Sequence, residues 1–312
     1  MAKPESDKRH HNNFDGLRLL AALLVLFSHM FALSGRWEPR FIGDHSFGNL
    51  GVLIFFSISG YLISASWFSD PNIFRFSLRR FLRIVPGLTI AIIISWTVVT
   101  SLGLSRFPGN PLHALNGSLW TIPYEIYCYI LIASLGLLTR SPALVLSLTL
   151  LVAYAFLPKS FLSYFGLFFA GGALLQQYVR LRSVYALLGF FLSSAMFLSI
   201  NETIIGLALI IPPATVWIGT QSWPVLNMAG RKGDISYGIY IYAWPIQQIV
   251  VTHVGSTSPY IWLLLPSLTI TLAVAWLSWH LVEHPALLYK PKKNRFSASR
   301  DHSAVRQAVN EG

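Results

Sequence analysis

Long runs of apolar residues separated by short polar stretches dominate the chain. One crossing of a membrane needs about 20 predominantly apolar residues in a helix, and such runs recur along the whole sequence. The predicted spans cover 15–34, 48–68, 84–103, 118–138, 141–157, 160–179, 183–200, 203–220, 235–254 and 260–282. Prolines and polar residues between 158 and 213 blur the boundaries of spans five to eight. The pattern predicts an all-α polytopic membrane helix bundle with about ten transmembrane helices.

Two polar ends flank this apolar region. We expect 1–14 to be a cytoplasmic N-terminal segment, 15–285 to form one transmembrane domain, and 286–312 to be a basic, disordered cytoplasmic tail. The basic N-terminus, the apolar run and the small residues at 32–34 also fit a cleavable signal peptide. We favour a retained first span, because cleavage would remove its two most unusual residues.

The composition excludes an ordinary soluble domain. Hydrophobic residues make up 54% of the chain and charged residues only 11%, whereas a soluble domain typically has about 25% charged residues. The same figures argue against disorder, collagen and a coiled coil. A single cysteine, Cys128, excludes a disulfide scaffold and a cysteine-based metal cage.

The net charge is +11, and the basic residues are distributed unevenly between the two sides of the predicted spans. Of the 23 Lys and Arg residues, 18 fall on one side of the membrane, four on the other, and Arg18 lies inside the first span. Cytoplasmic loops carry the excess of basic residues, so both termini are expected in the cytoplasm. Topology and contact with anionic lipid account for the charge, and no nucleic-acid partner is needed.

The first predicted span contains ionisable residues, which cost roughly 2.5–3.5 kcal/mol each within a membrane. Arg18 and His29 are eleven positions apart. In a helix this places them within about 20° of one face and about 16 Å apart along the axis. The alternative is that Arg18 snorkels to the interface, paired with Asp15, and that His29 is a buried hydrogen-bonded residue.

The fourth predicted span contains Glu125, shortly after the Ser-Leu-Trp-Thr sequence at 118–121. If the span enters from outside near residue 118, Glu125 lies about 10 Å deep, and His29 lies about 7 Å from its own outer end. The two side chains are therefore expected at one level. The alternative is a structural hydrogen bond from Glu125 to a tyrosine or a helix terminus.

A basic cluster follows the second predicted span. Arg80 and Arg83 are neighbours on a helix surface, and two guanidiniums at this spacing suit a shared anion such as a phosphate. A cluster that only sets the topology and contacts lipid is the alternative.

The segment His280-Leu281-Val282-Glu283-His284 fits a zinc-protease pattern. We do not favour a metal site, because five positions of this kind occur easily by chance and no third ligand is evident. Cys128 has no neighbouring base in the sequence and is expected to be inert. Glycine patterns of nucleotide-binding loops are absent.

Taken in order along nearly the whole chain, several motifs resemble those of the acyltransferase type 3 family of multi-pass membrane O-acyltransferases. They are Asp15-Gly16-Leu17-Arg18 with His29, the segments 55–63 and 235–240, the pair Arg80 and Arg83, and the segment 118–121 with Glu125.

The resemblance implies an enzyme of the bacterial inner membrane that transfers an acetyl group from cytoplasmic acetyl-CoA to a hydroxyl of an extracytoplasmic, exported or lipid-linked glycan. On this reading His29 is the general base with Glu125 as its partner, Arg18, Arg80 and Arg83 hold the CoA phosphates, and no metal takes part. A polytopic transporter or lipid-glycan flippase is the main alternative, and a zinc hydrolase a third.

Two departures from the family pattern limit this assignment. Ala243 stands where relatives often have a histidine before Trp244-Pro245, and Glu283-His284-Pro285 replaces the usual Glu-Arg-Pro-like ending. Many relatives also carry an extracytoplasmic domain for which this chain is too short. It is therefore expected to act alone or to pass the acyl group to a separate extracytoplasmic partner protein.

Overall fold

Each of the ten predicted apolar segments contains a helix. The computed structural model describes residues 12–103, 116–157, 160–178, 184–230 and 233–291. Its α-helices are α1 (Phe14–Leu33), α2 (Phe47–Phe68), α3 (Ile73–Leu102), α4 (Ile122–Leu138), α5 (Pro142–Phe156), α6 (Phe161–Gln177), α7 (Val184–Ser199), α8 (Thr203–Thr220), α9 (Pro224–Gly230), α10 (Ser236–Val254), α11 (Tyr260–Ser278) and α12 (His284–Leu288). The protein is an all-α membrane helix bundle.

Six helices in the described part of the chain are long and apolar enough to cross a membrane. Five of them begin at Phe14, Phe47, Ile73, Thr203 and Tyr260. The sixth begins at Leu119, with a 3-10 turn, Leu119–Thr121, that continues into α4. Helices α5 and α7 have only 15 and 16 residues, or roughly 22–24 Å at the helical rise, which is less than a hydrocarbon core of about 30 Å. Ten spans and a cytoplasmic location of both termini therefore stay predictions.

Helix α3 begins earlier than the predicted third span, which started at residue 84. The Asn72 side chain accepts a hydrogen bond from the backbone N–H of Arg75 and caps the helix there. The basic cluster consequently lies on the first turns of α3. Pro86 sits inside the helix without ending it.

Helices α2 and α6 are in backbone contact. A Cβ atom at Gly60 would lie 1.8 Å from the carbonyl oxygen of Phe169, and one at Gly172 would lie 2.2 Å from that of Ser57. Small residues permit such close helix approach in membranes. The serines and the glycine among the bulky residues of the 55–63 segment therefore allow α2 to pack closely on α6.

A short hairpin between α1 and α2 was not predicted. Strand β1 (Arg40–Ile42) pairs antiparallel with β2 (His45–Ser46) through a turn in which Gly43 has φ +50°. Strands this short leave no readable hydrophobic alternation. Ser46 then caps α2 by accepting from the N–H of Asn49, so the hairpin leads directly into the second helix.

At the other end, α11 continues through a π-helical turn, Trp279–Glu283, into α12. The helical structure therefore extends past residue 285, the predicted end of the transmembrane domain. Residues 1–11 and 292–312, which make up most of the predicted N-terminal segment and tail, lie outside the described residues.

A buried ion-pair cluster joins the end of α2 to the start of α3. Asp70, which is 3% exposed, accepts hydrogen bonds from Arg75 at 2.6 Å and from Arg79 at 2.7 Å. Hydrogen bonds from Arg75, and then from Arg79, outweigh the effect of burial and lower the pKa of Asp70 to about 2.

Asp70→Asn is expected to destabilise the bundle, because it leaves the buried guanidinium of Arg79 without a counter-charge. We expect the melting temperature of the purified protein to fall by about 5 °C near neutral pH. Because the folded-state pKa lies below the ordinary value of about 3.9, this contribution is present above that pH and is lost as the pH falls toward 2. The wild-type advantage should shrink over the same range.

The matched control is Asp44→Asn, which removes the partner of Arg40 in an ion pair whose Asp44 side chain is 92% exposed. Exposed pairs contribute little to stability, so its melting temperature should equal that of the wild type. Equal stability of the two variants would contradict a structural role for Asp70.

The predicted topology is testable at the hairpin and at the end of α12. Asp44→Cys should react with a membrane-impermeant thiol reagent in intact cells, and Tyr289→Cys should react only after the membrane is opened. Both side chains are exposed, whereas the native Cys128 is fully buried and gives little background. Labelling of Tyr289→Cys in intact cells would overturn the assignment of the arginine-rich side to the cytoplasm.

Candidate active site

A cavity of about 110 Å³ lies among α1, α2, α3, the start of α4 and the start of α10. Its polar and charged lining residues are Arg18, Ser59, Arg80, Arg83, Thr121, Glu125, Tyr129, Ser236, Tyr237 and Tyr240. All three arginines predicted to hold the donor thus face one space, which they share with Glu125. We call it the arginine cavity.

Two of these arginines share one carboxylate that the sequence analysis did not single out. Asp234, in the loop before α10, accepts hydrogen bonds from Arg18 at 3.3 Å and from Arg83. Arg18 also contacts Asp15 at 3.1 Å, as the snorkelling alternative expected. The carboxylate of Asp234 is held in turn by the hydroxyl and N–H of Ser236. Asp234 therefore fixes the relative position of α1, α3 and α10.

The charge state of Asp234 follows from its surroundings. Burial disfavours the carboxylate, but the guanidiniums of Arg83 and Arg18 outweigh burial and lower the pKa of Asp234 to about 2. The carboxylate is thus ionised at any physiological pH and pairs with both guanidiniums, while Asp15 places a second carboxyl beside Arg18.

Arg80 and Glu125 also line the cavity. Glu125 accepts a hydrogen bond of 2.5 Å from the hydroxyl of Ser59 and another from the hydroxyl of Tyr129. Arg80 is partly buried, and no described group accepts a hydrogen bond from its Nε. A buried donor without a partner favours an anionic or polar ligand beside it.

Glu283 reaches the same region from the π-helical turn. It is 1% exposed and accepts a hydrogen bond of 2.9 Å from Ser278, and its side chain lies against Gly87 of α3. His280 is instead exposed, and its Nδ1 lies 2.8 Å from the carbonyl oxygen of Trp276. Within the described ranges, no group of three or more His, Cys, Asp or Glu side chains is placed to hold a metal ion.

His29 does not line the arginine cavity. Its ring lies edge-on to that of Trp244, with centroids 4.8 Å apart, and its buried Nδ1 has no hydrogen-bond partner in the part of the chain described. Trp244 also fills the space beside Gly117, where a Cβ atom would come within 2.5 Å of the indole. A buried imidazole nitrogen without a partner favours a ligand or water beside it.

The structure separates His29 from Glu125, which were expected at one level. Along α10, Trp244 faces Gly117, and Tyr240 hydrogen-bonds Thr121 at 2.6 Å. Glu125 lies one helical turn after Thr121 and lines the arginine cavity. Trp244 and Tyr237, which lines that cavity, are about 10 Å apart along the helix.

The prediction took residue 118 as the outer surface of the membrane. In the structure the chain before α4 is already packed inside the bundle: Asn116 is 4% exposed and donates to the carbonyl oxygen of Ile241 at 2.7 Å. Thr121 and Tyr240 lie between the two predicted catalytic residues and provide hydroxyls along that route.

Asp234, Ser59 and Tyr129 were not predicted from the sequence. Serines and tyrosines are common in membrane helices, and Asp234 lies in a loop. The signal that could have indicated Asp234 is its position, two residues before the Ser-Tyr-Gly segment that begins α10.

Comparison with known proteins assigns the chain to a family. The profile of the family described as an acyltransferase domain, type 3, matches residues 11–280. The chain is 32% identical to the O-acetyl transferase of Shigella phage Sf6, over 87% of this chain and 95% of that protein. It is 26% identical to Nodulation protein 10 of Rhizobium leguminosarum bv. viciae, over 91% and 95%. No solved structure matches the chain.

The chain belongs to the acyltransferase type 3 family and is an acyltransferase. The motif-based assignment is thereby confirmed.

Proposed function

We propose that the protein transfers an acetyl group from cytoplasmic acetyl-CoA to a hydroxyl of an extracytoplasmic or exported glycan in the bacterial inner membrane. The observation that carries this proposal is the arrangement along α1. Arg18 lies in a cavity with two further arginines, and His29 lies about 16 Å further along the same helix.

The arginine cavity is the proposed donor site. Guanidinium groups bind phosphate through paired hydrogen bonds, and CoA carries its phosphates at one end and its thioester at the end of a long flexible arm. Phosphates held by Arg18, Arg80 and Arg83 would leave that arm free to extend along α1 and α10. The unpartnered Nε of Arg80 supports this assignment, as does the position of all three arginines on one cavity.

His29 is the proposed general base. A sugar hydroxyl is a poor nucleophile near neutral pH, and imidazole is the side chain suited to accept its proton there. As the hydroxyl oxygen bonds to the acetyl carbon, the carbon–sulfur bond breaks. The proton taken by His29 then passes to the departing thiolate, so the products are the acetyl ester and free CoA.

Glu125 has a separate place in this scheme. Its contacts with Ser59 and Tyr129 support a role in arranging the donor side of the cavity. A proton exchanged between Glu125 and His29 would need the hydroxyls of Thr121 and Tyr240 or water in between. Glu125→Gln should therefore lower activity less than a change at His29.

The proposal is tested on the surface polysaccharide of cells that carry the gene and of cells from which it is deleted. We expect O-acetyl signals in NMR spectra of the first sample and their loss in the second, with recovery when the gene is restored. Identical acetylation in both strains would contradict the proposal. A glycan that is unmodified in both strains but absent from the surface of the deletion strain would favour a transporter or flippase.

A further inference from the structure

A second pocket lies at the far end of α1 from the arginines. It is formed by the hairpin and the first turn of α2, and its lining residues are Trp37, Glu38, Arg40, Asp44, His45, Ser46 and Asn49. We call it the hairpin pocket. None of its residues lines the arginine cavity, and on the predicted topology it opens outside the cytoplasm.

The chemistry of the hairpin pocket is mixed. Trp37 is 72% exposed and presents a large aromatic face. Around it stand carboxylates, an amide, an imidazole and a guanidinium, so donors and acceptors are interspersed. The charges are largely balanced, because Arg40 pairs with Asp44, which argues against a phosphate or another polyanion as the ligand.

Hydrogen bonds to each other and to Tyr164 of α6 hold two side chains of the hairpin pocket in place. Asn49 accepts a hydrogen bond of 2.9 Å from the hydroxyl of Tyr164 and lies 3.2 Å from Nδ1 of His45. Among the described residues, no hydrogen bond uses the amide nitrogen of Asn49 or Nε2 of His45. Burial raises the pKa of Glu38 and lowers that of His45, as expected in a recess partly closed to water.

The hairpin pocket contacts α1 at Ser28, next in sequence to the predicted catalytic base. Glu38 accepts a hydrogen bond from the hydroxyl of Ser28, the residue before His29, and that hydroxyl also accepts the N–H of Gly48 at 2.8 Å. A Cβ atom at Gly48 would lie 2.6 Å from Ser28. The hairpin is thus seated on α1 within one residue of His29.

We propose that the hairpin pocket binds a sugar residue of the acceptor glycan, with Trp37 stacked on the C–H face of the ring and the surrounding polar groups bonded to its hydroxyls. A pyranose offers one apolar face and an edge of hydroxyls that both donate and accept, which matches an aromatic surface bordered by mixed polar groups. The inference rests on the proposed function and adds where the acceptor docks.

The test measures binding of unacetylated surface polysaccharide, prepared from the gene-deletion strain, to the full-length protein in lipid nanodiscs without acetyl-CoA. Trp37→Ala should weaken binding about tenfold and raise KM for the polysaccharide similarly, while kcat and KM for acetyl-CoA stay unchanged. Trp37→Phe retains a stacking ring and should recover most of the affinity. Trp262→Ala, at an indole 66% exposed near the start of α11, is the matched control and should bind normally.

Three outcomes would overturn the hairpin pocket as the acceptor site: no binding by the wild type, unchanged binding by Trp37→Ala, or equal weakening by Trp37→Ala and Trp262→Ala. Failure of the proposed function has a different signature. If the wild type binds the polysaccharide through Trp37 but transfers no acetyl group to it, the pocket stands as a glycan site and the assigned reaction is wrong.

Discussion

His29→Ala is expected to lower the rate of acetyl transfer by about a hundred- to ten-thousand-fold, the usual cost of removing a general base. The effect should appear in kcat, because Arg18, one of the proposed phosphate ligands, lies about 16 Å from His29 along α1 and the imidazole does not line the arginine cavity. Initial rates with acetyl-CoA and unacetylated polysaccharide measure the first effect. Binding of acetyl-CoA to the purified variant measures the second.

The control is His253→Ala, which removes an exposed imidazole from the last turn of α10. It should leave both the rate and the melting temperature unchanged. Turnover near the wild-type rate by a folded His29→Ala protein would remove the base assignment. Equal loss of acetyl-CoA binding and of rate would instead mean that the change disrupts the fold around Trp244.

Arg80→Lys and Arg83→Lys are expected to raise KM for acetyl-CoA by about ten- to a hundredfold each, the loss associated with hydrogen bonds to charged groups. Lysine retains the positive charge needed for insertion but cannot form the paired hydrogen bonds of a guanidinium. The Arg83 variant should have the larger effect, because it also loses the contact with Asp234 that joins α3 to α10.

Arg140→Lys is the matched control, since Arg140 is exposed and lies outside the cavity. It should have wild-type kinetics. If the Arg80 and Arg83 variants also acetylate normally at low acetyl-CoA concentration, these arginines only set the topology and the donor site lies elsewhere.

The helical segments were predictable because hydropathy reports directly on what a membrane requires of a chain. Each predicted apolar segment contains a helix, and the paired arginines lie in one cavity with Arg18. What hydropathy does not report is depth in three dimensions. The stretch before α4 is polar enough to resemble an outer loop, yet Asn116 is buried through hydrogen bonds to Ser95 and Ile241.

Features that depend on contacts between distant segments also could not be predicted from the sequence. Asp234 is important because Arg18 and Arg83 converge on it from two other helices. The hairpin at residues 40–46 is held by Ser28 of α1, which contacts Ser46, and by Tyr164 of α6, which contacts His45. Neither convergence leaves a periodic pattern, so a single sequence could predict the residues near the site without predicting their partners.

Transfer across the membrane, with the donor at one end of α1 and the acceptor at the other, is tested most directly in sealed proteoliposomes. The vesicles contain acetyl-CoA labelled in its acetyl group, and unacetylated polysaccharide is supplied only outside. We expect label to appear in the external polysaccharide with wild-type protein and not with His29→Ala. Label that reaches the polysaccharide only when both substrates are on the same side would contradict transfer across the membrane.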